Sequence, residues 1–504
     1  MVLNKERNAR ISVAWGFIFK IVSLVCPFII RTLLIKIMGS EYSGLGSLFT
    51  SILQVLSLAE LGFGTAMVYS MYKPVAQDDK SKLSAILKYY RKIYYIISII
   101  ILVAGAAVLP FLKFLVKDDV PSSVNLYILY GIYVLNTFIS YFGLAYRASL
   151  LSAYQREDIN SIANLIVNVL LYAAQIIVLI IHPNYYLFII FLPITTLLLN
   201  VIKYFYVKKK YKDITPTGEL DEDVRKEIKT NMAALLCHKV GGVVVNSADN
   251  IVISAFLGLV VLSNYNNYYY LLSAISAFII IIFTSLCAGV GNSLIVKTKE
   301  ENERFFNRVF LINCVVVSFC TICFFNLYQL FVEFWVGKEL MFDFFTVILF
   351  CIYFYLHMIR RTIIMYRDAF GAWKDNKIQP IVSCIFNLIV NIILVNFIGI
   401  YGILISTILS MVLIDIPWET ITFFKNISKY SPKKYIIFGV SFIISTTISC
   451  LICYFIPFNV ENLIVNMIIN LGVSIAIFGL IQGPMYIVFK RMNRKVYNID
   501  MYKS

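Results

Sequence analysis

The chain has 504 residues and a formal net charge of +16, with 60% apolar and 14% charged residues. Soluble globular domains carry about 25% charged residues, so this composition excludes an ordinary soluble protein and indicates lipid as the solvent. The basic residues stand in short clusters between long apolar runs. Such clusters indicate membrane topology rather than a nucleic-acid partner.

A helix needs about 20 mostly apolar residues to cross a bilayer. About fourteen segments meet this requirement, and they predict an all-α polytopic membrane protein with about 14 transmembrane helices. The predicted spans cover residues 11–36, 43–70, 93–116, 122–146, 159–181, 185–207, 230–257, 263–296, 309–332, 341–366, 378–398, 400–424, 435–456 and 462–489.

Lysine and arginine gather on one side of these spans. The N-terminal tail and the even-numbered connections hold 37 of the 44 basic residues, whereas the odd-numbered connections hold only Lys36, Lys113, Lys117 and Lys338. Basic loops stay in the cytoplasm, so both termini are predicted to be cytoplasmic. Arg360 and Arg361 close the tenth span at this face, where they are interpreted as topology anchors.

The two halves of the chain repeat at a nearly constant offset. This pattern predicts a parallel repeat of two pseudo-symmetric six-helix lobes, residues 1–212 and 213–426, followed by two further helices and a tail in residues 427–504. The matching positions are Lys20 with Lys239, Gly39 with Gly258, Tyr146 with Tyr366, and Asn-Leu-Ile-Val-Asn at 164–168 with the same pentapeptide at 387–391.

Ionisable groups inside spans are the strongest site candidates, since each costs several kcal/mol unless it faces a bundle interior or a wet cavity. Lys20 and Arg31 are eleven residues apart, which on a helix is three turns plus about 20°, so they share one stripe. In the seventh span, Lys239, Asn246 and Asn250 form a second stripe, with Asp249 beside it.

Because the first and seventh spans are repeat partners, their polar stripes are expected to face a shared central cavity. Arg31 offers a planar fork for phosphate oxygens, and Lys20 and Lys239 act as mobile point charges. The functional interpretation is an anion site for a phosphate or diphosphate head group. The alternative is that these side chains extend to the membrane interfaces.

Two further features leave alternatives open. Glu60 lies in the middle of the second predicted span. It is interpreted either as a proton or cation site or as a structural partner of Arg31. The run 264–270 combines tyrosines and asparagines that suit stacking on sugars and hydrogen bonding to them, with Tyr265, Asn266 and Tyr269 as contact candidates. The same run could be an interfacial aromatic belt.

The sequence gives no indication of an enzyme. It contains no Walker A pattern, its three histidines have no metal-ligand spacing, and the predicted outer loops are too short for a catalytic lobe. No metal, cofactor or catalytic residue is predicted.

The stretch from Arg31 to Pro74 has a recognisable pattern: Arg31-Thr-Leu-Leu-Ile-Lys-Ile-Met-Gly39, Leu58-Ala-Glu60-Leu-Gly62-Phe-Gly64 and Tyr69-Ser-Met-Tyr-Lys-Pro74. It resembles the Wzx-type polysaccharide flippases of the multidrug/oligosaccharidyl-lipid/polysaccharide (MOP) exporter superfamily. Tyr366-Arg367-Asp-Ala-Phe-Gly371 in the second half agrees. The related lipid II flippases carry several cavity arginines, whereas Arg31 is the only arginine predicted deep in a span.

The resemblance implies a multi-pass protein of the bacterial plasma membrane that carries undecaprenyl-diphosphate-linked oligosaccharide units outward by alternating access, for capsule, O-antigen or exopolysaccharide synthesis. The implied partners are this polyprenyl-linked substrate, membrane lipid, a coupling ion (Na+ or H+) and a polysaccharide polymerase.

Two other functions are alternatives to a flippase. An ion-coupled antiporter of organic cations from the same superfamily would need unpaired carboxylates in the N-terminal lobe, and Glu60 is the only mid-span one there. An intramembrane glycosyltransferase would need acidic or histidine clusters on a long outer loop, which the sequence does not contain.

Overall fold

The computed structural model describes residues 5–60, 63–117, 120–372, 376–456 and 460–500, and within these ranges the side chains at 5–10, 59, 227, 231, 233–242, 288 and 494–500 lie outside the description. The described chain is built from helices. They are α1 (Lys5–Ile37), α2 (Ser40–Leu56), α3 (Phe63–Ala76), α4 (Lys80–Val108), α5 (Leu126–Tyr141), α6 (Ala148–Ala153), α7 (Glu157–Ile181), α8 (Tyr185–Lys210), α9 (Glu222–Leu257), α10 (Leu259–Val296), α11 (Lys299–Val336), α12 (Phe344–Ile359), α13 (Arg361–Ala369), α14 (Gln379–Ile398), α15 (Ile400–Ser410), α16 (Ile416–Ile421), α17 (Lys433–Phe455) and α18 (Leu463–Asp500).

Polar residues at the helix starts set several of these boundaries. The side chains of Asp79, Asn125 and Asn184 accept hydrogen bonds from backbone N–H groups in the first turns of α4, α5 and α8. Thr298 and Glu301 form a reciprocal capping box at the start of α11. Each cap supplies an acceptor to donors that the helix itself leaves unpaired.

Among the described residues, eleven helices are long and apolar enough to cross a membrane, and the pair Leu126–Tyr141 and Ala145–Ala153, bent by 46°, raises this number to twelve. These twelve coincide with twelve of the predicted segments, and the protein is an all-α multi-pass membrane protein. Large apolar side chains on these helices face outward, as at Phe397, which is 79% exposed. A lipid solvent explains this exposure, because water would penalise it.

Of the other two predicted spans, 43–70 is interrupted, and the described apolar part of 230–257 is too short to cross a membrane by itself. In 43–70 the chain leaves α2 through a 3-10 turn at Ser57–Glu60 and begins α3 at Phe63, which gives helices of 17 and 14 residues. In 230–257 the helix α9 is continuous, but its described apolar stretch covers only Val243–Leu257. The count of fourteen spans stays a prediction.

The internal repeat is visible in the backbone. Gly39 ends α1 with φ +115°, and its repeat partner Gly258 ends α9 with φ +97°. Both positions need a left-handed conformation that side chains with a Cβ rarely adopt, which explains why glycine stands at both. The constant spacing of the two glycines therefore reflects two equivalent helix junctions.

The repeated polar residues also play matching roles. Tyr146 and Tyr366 are both buried, with 4% and 0% exposure. In the repeated pentapeptide, Asn164 of α7 accepts a hydrogen bond from Lys203 Nζ on α8 at 3.2 Å. Asn387 of α14 donates to Thr407 Oγ1 on α15 at 3.0 Å. In each half, the first asparagine ties its helix to the next helix along the chain.

The charged segment after α8 is packed rather than free. Tyr211, Ile214 and Leu220 are buried in one core with residues of α3, α4 and α6. Lys80 Nζ donates to Asp213 at 2.7 Å, and this hydrogen bond lowers the pKa of the Asp213 carboxyl. This connection between α8 and α9 thus forms part of the first compact unit.

The contacts of the chain divide it into two compact units, residues 1–263 and 264–504. Helix α9 belongs to the first unit through its packing on α2 and α3. In the second unit, α11 packs on α12, α17 and α18. The lobe boundaries at 212/213 and 426/427 stay predictions.

Candidate functional site

The two cations predicted on α1 lie in different surroundings. Lys20 is exposed, on a helix whose neighbouring Phe17 and Ile21 are also exposed. Arg31 is half-buried, and its Nη2 donates to the carbonyl oxygen of Ser263 at 3.0 Å. Arg31 therefore holds one of its five donors against the start of α10, within the first unit.

The polar stripe predicted on α9 lies partly in a packed seam. Asn250 Nδ2 donates to Ser51 Oγ at 2.8 Å, and Ser247 Oγ donates to Gln54 Oε1 at 3.2 Å. These two hydrogen bonds join α9 to α2. Interhelical bonds between small polar side chains are a recurrent means of holding membrane helices together.

The remaining residues of this stripe differ in exposure. Asp249 is buried at 3% exposure, whereas Asn246 is exposed. Lys239 lies on α9, but its side chain is outside the described residues. The roles predicted for Lys20, Arg31, Lys239, Asn246, Asp249 and Asn250 in binding substrate stay predictions.

Glu60 ends the 3-10 turn between α2 and α3 and faces a group of tyrosines. A Cβ placed on Gly64 would lie 3.0 Å from Glu60 Oε1, 3.3 Å from Tyr90 Oη and 3.9 Å from Tyr94 Oη. The carboxylate and both hydroxyls therefore converge on the space left by this glycine. Tyr90 donates to Tyr94 Oη at 2.9 Å. This polar cluster lies inside the first unit.

The residues of the tyrosine-rich run on α10 differ in burial and in their contacts. Tyr268 is fully buried, and its hydroxyl donates to Gln329 Oε1 on α11 at 2.7 Å. Tyr265 is also buried, at 6% exposure, and its ring centroid lies 6.1 Å from that of Tyr269 with an interplanar angle of 10°. Tyr269 and Asn266 are half-buried. Tyr268 is therefore structural, while Tyr265, Asn266 and Tyr269 remain the predicted sugar contacts.

The second unit holds a buried ionic cluster whose pairing of Arg360 with Asp415 and Glu419 was not predicted. Arg360 donates to both oxygens of Glu419 at 2.9 and 2.7 Å and to Asp415 at 2.8 Å. Gln379 also donates to Asp415. The side chains of Arg360 and Asp415 are 11% exposed and that of Glu419 is 4% exposed.

Arg360 is therefore the partner of two buried carboxylates, a role beyond the predicted topology anchor, and Arg31 is not the only arginine inside the helical core. Asp415 and Glu419 are four residues apart on an apolar helix, and this spacing places both on one face. Two carboxylates on one face of such a helix need a cationic partner. Their spacing was therefore the sequence feature that could have predicted this ion cluster.

Arg147, beside the bend between α5 and α6, is a second buried arginine, at 6% exposure. Its guanidinium carbon lies 4.7 Å from the ring centroid of Tyr204 on α8, and its Nε donates to Tyr146 Oη at 3.3 Å. Aromatic rings attract a desolvated guanidinium through their quadrupole. This arrangement explains how the helical core accommodates the charge.

Comparisons with known proteins agree with this architecture. The family model described as "Polysaccharide biosynthesis protein" matches residues 11–287, more than half of the chain. Among curated proteins, none matches the chain by sequence.

Solved structures share the fold at low identity. A lipid II flippase, MurJ, in an inward closed conformation is 15% identical, with a TM-score of 0.62 over 94% of this chain and 98% of its own. An inward-facing multidrug resistance MATE family transporter of the MOP superfamily is 12% identical, with a TM-score of 0.62 over 78% and 93%. A MOP superfamily transporter from Pyrococcus furiosus is 13% identical, with a TM-score of 0.52 over 82% and 93%. The chain therefore belongs to the polysaccharide biosynthesis protein family and has the fold of MOP superfamily transporters.

Proposed function

We propose that this protein is a flippase that moves undecaprenyl-diphosphate-linked oligosaccharide repeat units from the cytoplasmic to the outer leaflet of a bacterial plasma membrane. It works by alternating access, with both termini in the cytoplasm, and it supplies capsule, O-antigen or exopolysaccharide synthesis. The observation that carries the proposal is the half-buried guanidinium of Arg31 in a long apolar helix of a polysaccharide biosynthesis family member.

The chemistry of the substrate explains why a cation would be kept there. A diphosphate carries negative charge that lipid cannot solvate, so its passage needs positive partners within the helical core. Arg31 presents a planar donor fork that pairs with phosphate oxygens, and Lys20 and Lys239 add mobile charge. Asn246, Asp249 and Asn250 provide polar groups along the path.

The sugars need a different surface. Tyr269 offers a half-buried ring that lies parallel to the buried Tyr265 ring behind it, and Asn266 offers both a donor and an acceptor. Ring faces suit the apolar faces of sugars, whereas amides pair with hydroxyl groups. These residues are therefore assigned to the oligosaccharide, and a polysaccharide polymerase receives the unit on the outer side.

Glu60 is assigned to the coupling ion, Na+ or H+, because its carboxylate and nearby tyrosine hydroxyls form a group of oxygen donors inside the first unit. One coupled charge gains about 2.3 kcal/mol per 100 mV of membrane potential. Glu60→Gln, which removes the charge and keeps the shape, should therefore lower the substrate gradient reached at steady state by about fiftyfold at that potential.

This change can be measured as substrate accumulated under an imposed Na+ or proton gradient. Glu60→Asp should retain part of the coupling, and the exposed Glu222→Gln should behave as wild type. An unchanged dependence on both gradients in Glu60→Gln would remove Glu60 from this role.

A second candidate function is an ion-coupled antiporter of organic cations, favoured by the fold shared with a multidrug MATE transporter and by Glu60. The two functions predict different phenotypes in a strain that lacks the protein. A flippase deficiency stops surface polymer and leaves lipid-linked units in the inner leaflet, with unchanged tolerance of ethidium. Normal polymer together with ethidium sensitivity would favour the antiporter.

A further inference from the structure

Arg361, next to the buried ionic cluster, has no acidic partner among the described residues. Arg360 donates hydrogen bonds to both oxygens of Glu419 and to Asp415 Oδ2, and Gln379 donates to the other oxygen of Asp415. Within the described residues, no carboxylate lies within 4.0 Å of the Arg361 guanidinium. The two adjacent arginines thus have different environments, although both stand at the junction of α12 and α13.

Arg361 is instead bound to a histidine. Its Nη2 lies 2.6 Å from His357 Nε2. A guanidinium can only donate, so Nε2 accepts, and the neutral His357 ring carries its proton on Nδ1. Arg361 Nε is buried and has no hydrogen-bond partner among the described residues. A buried donor without a partner is costly, so Arg361 has hydrogen-bonding capacity that the described protein groups do not use.

An aromatic series leads from this pair to the predicted sugar contacts. The rings of His357 and Tyr353 stack at 5.7 Å and 6°. The Tyr353 and Tyr269 ring centroids lie 6.2 Å apart, and Tyr269 stacks on Tyr265. Tyr353 is buried, whereas Tyr269, His357 and Arg361 are half-buried. All of these contacts lie inside the second unit.

We infer that Tyr269, Tyr353, His357 and Arg361 form an acidic-glycan subsite. An oxyanion of the lipid-linked glycan binds Arg361, and the neighbouring sugar ring packs on Tyr269. From Tyr353 to Arg361 the helical rise is about 12 Å, so the site requires an extended ligand rather than an isolated ion. This inference rests on the proposed function and narrows its substrate to glycans that present a carboxylate or phosphate.

The subsite also explains why the second unit holds two arginines at one junction. Arg360 is fully engaged by protein carboxylates and cannot turn toward a ligand without leaving them unpaired. Arg361 keeps its charge, and His357, as a neutral acceptor, orients its fork without neutralising it. The pair therefore separates a structural arginine from a ligand-binding arginine.

The test uses the purified full chain in lipid nanodiscs and three probes: cellobiose, cellobiouronic acid (the same disaccharide with one carboxylate) and inorganic pyrophosphate. Binding is measured by titration with ligand-observed NMR. Wild type should bind cellobiouronic acid about tenfold more tightly than cellobiose. Arg361→Gln should abolish this preference, whereas the exposed Arg308→Gln should preserve it.

The pyrophosphate arm identifies the source of the oxyanion. Displacement of cellobiouronic acid by pyrophosphate would assign Arg361 to the carrier diphosphate as well as to the sugar acid. Independent binding of the two probes would assign it to an acidic sugar alone. In both cases Tyr269→Leu should weaken the binding of the two disaccharides and leave the binding of pyrophosphate unchanged. If Arg361→Gln does not fold, Tyr269→Leu tests the subsite in its place.

The inference is overturned if wild type shows no preference for either oxyanion, or if folded Arg361→Gln keeps the preference. Binding is measured without transport, so its failure leaves the proposed flippase function intact. Conversely, the protein could bind the acidic disaccharide through Arg361 and yet move no lipid-linked glycan. That result would overturn the proposed flippase function and leave the subsite in place.

Discussion

Arg360→Ala should lower the free energy of unfolding by about 3–5 kcal/mol, because removing one partner of a buried ion pair leaves uncompensated charge. Here two carboxylates, Asp415 and Glu419, would lose their cation while most of their surface stays buried. The change should appear as a lower thermal midpoint in detergent and as less protein in the membrane.

A partial rescue identifies the cause. Asp415→Asn combined with Glu419→Gln neutralises both orphaned acids and should recover part of the stability lost in Arg360→Ala. Lys338, which is 80% exposed in its pair with Glu333, is the matched control. Lys338→Ala should change stability by less than about 1 kcal/mol. An Arg360→Ala variant as stable as this control would show that the cluster contributes little to the fold.

Arg31→Ala should abolish export of surface polysaccharide while the protein stays in the membrane. Truncating one partner of a desolvated charged contact costs about 2–5 kcal/mol, which weakens substrate binding about thirtyfold or more. Export is measured as surface polymer per cell, alongside immunoblots of the membrane fraction.

Two substitutions on the same helix control for the structural role of Arg31 at the Ser263 carbonyl. Arg31→Lys keeps the charge and N–H donors but loses the planar fork, and it should retain intermediate export. Lys36→Ala, at an exposed position near the end of α1, should export normally. Wild-type polymer levels in Arg31→Ala would take Arg31 out of the substrate path.

Apolar length predicted most of the spanning helices because a membrane helix pairs its backbone within itself and needs no distant partner. The interruption at 43–70 has a local cause. Apolar residues continue through this segment, but the helix breaks at Ser57–Glu60, where Glu60 reaches the tyrosines of α4. Composition cannot distinguish a continuous span from two short helices joined by a polar turn.

Side-chain partners were less accessible to prediction because they depend on residues far apart in sequence. Arg360 and Glu419 are separated by 59 positions, and the basic cluster around Arg360 was indistinguishable from a topology signal. Asn250 was correctly singled out as polar, but its contact with Ser51 on α2 required the structure. The match between Gly39 and Gly258 could be found in the sequence because the backbone geometry alone, a positive φ, favours glycine at both positions.

The most direct test of the account measures translocation itself. Purified wild-type protein in liposomes should carry undecaprenyl-diphosphate-linked oligosaccharide to the opposite leaflet, where a glycan-cleaving enzyme added on that side can reach it, and Arg31→Ala should not. Equal cleavage in Arg31→Ala liposomes, or in liposomes without protein, would contradict transport of this substrate through a cationic path.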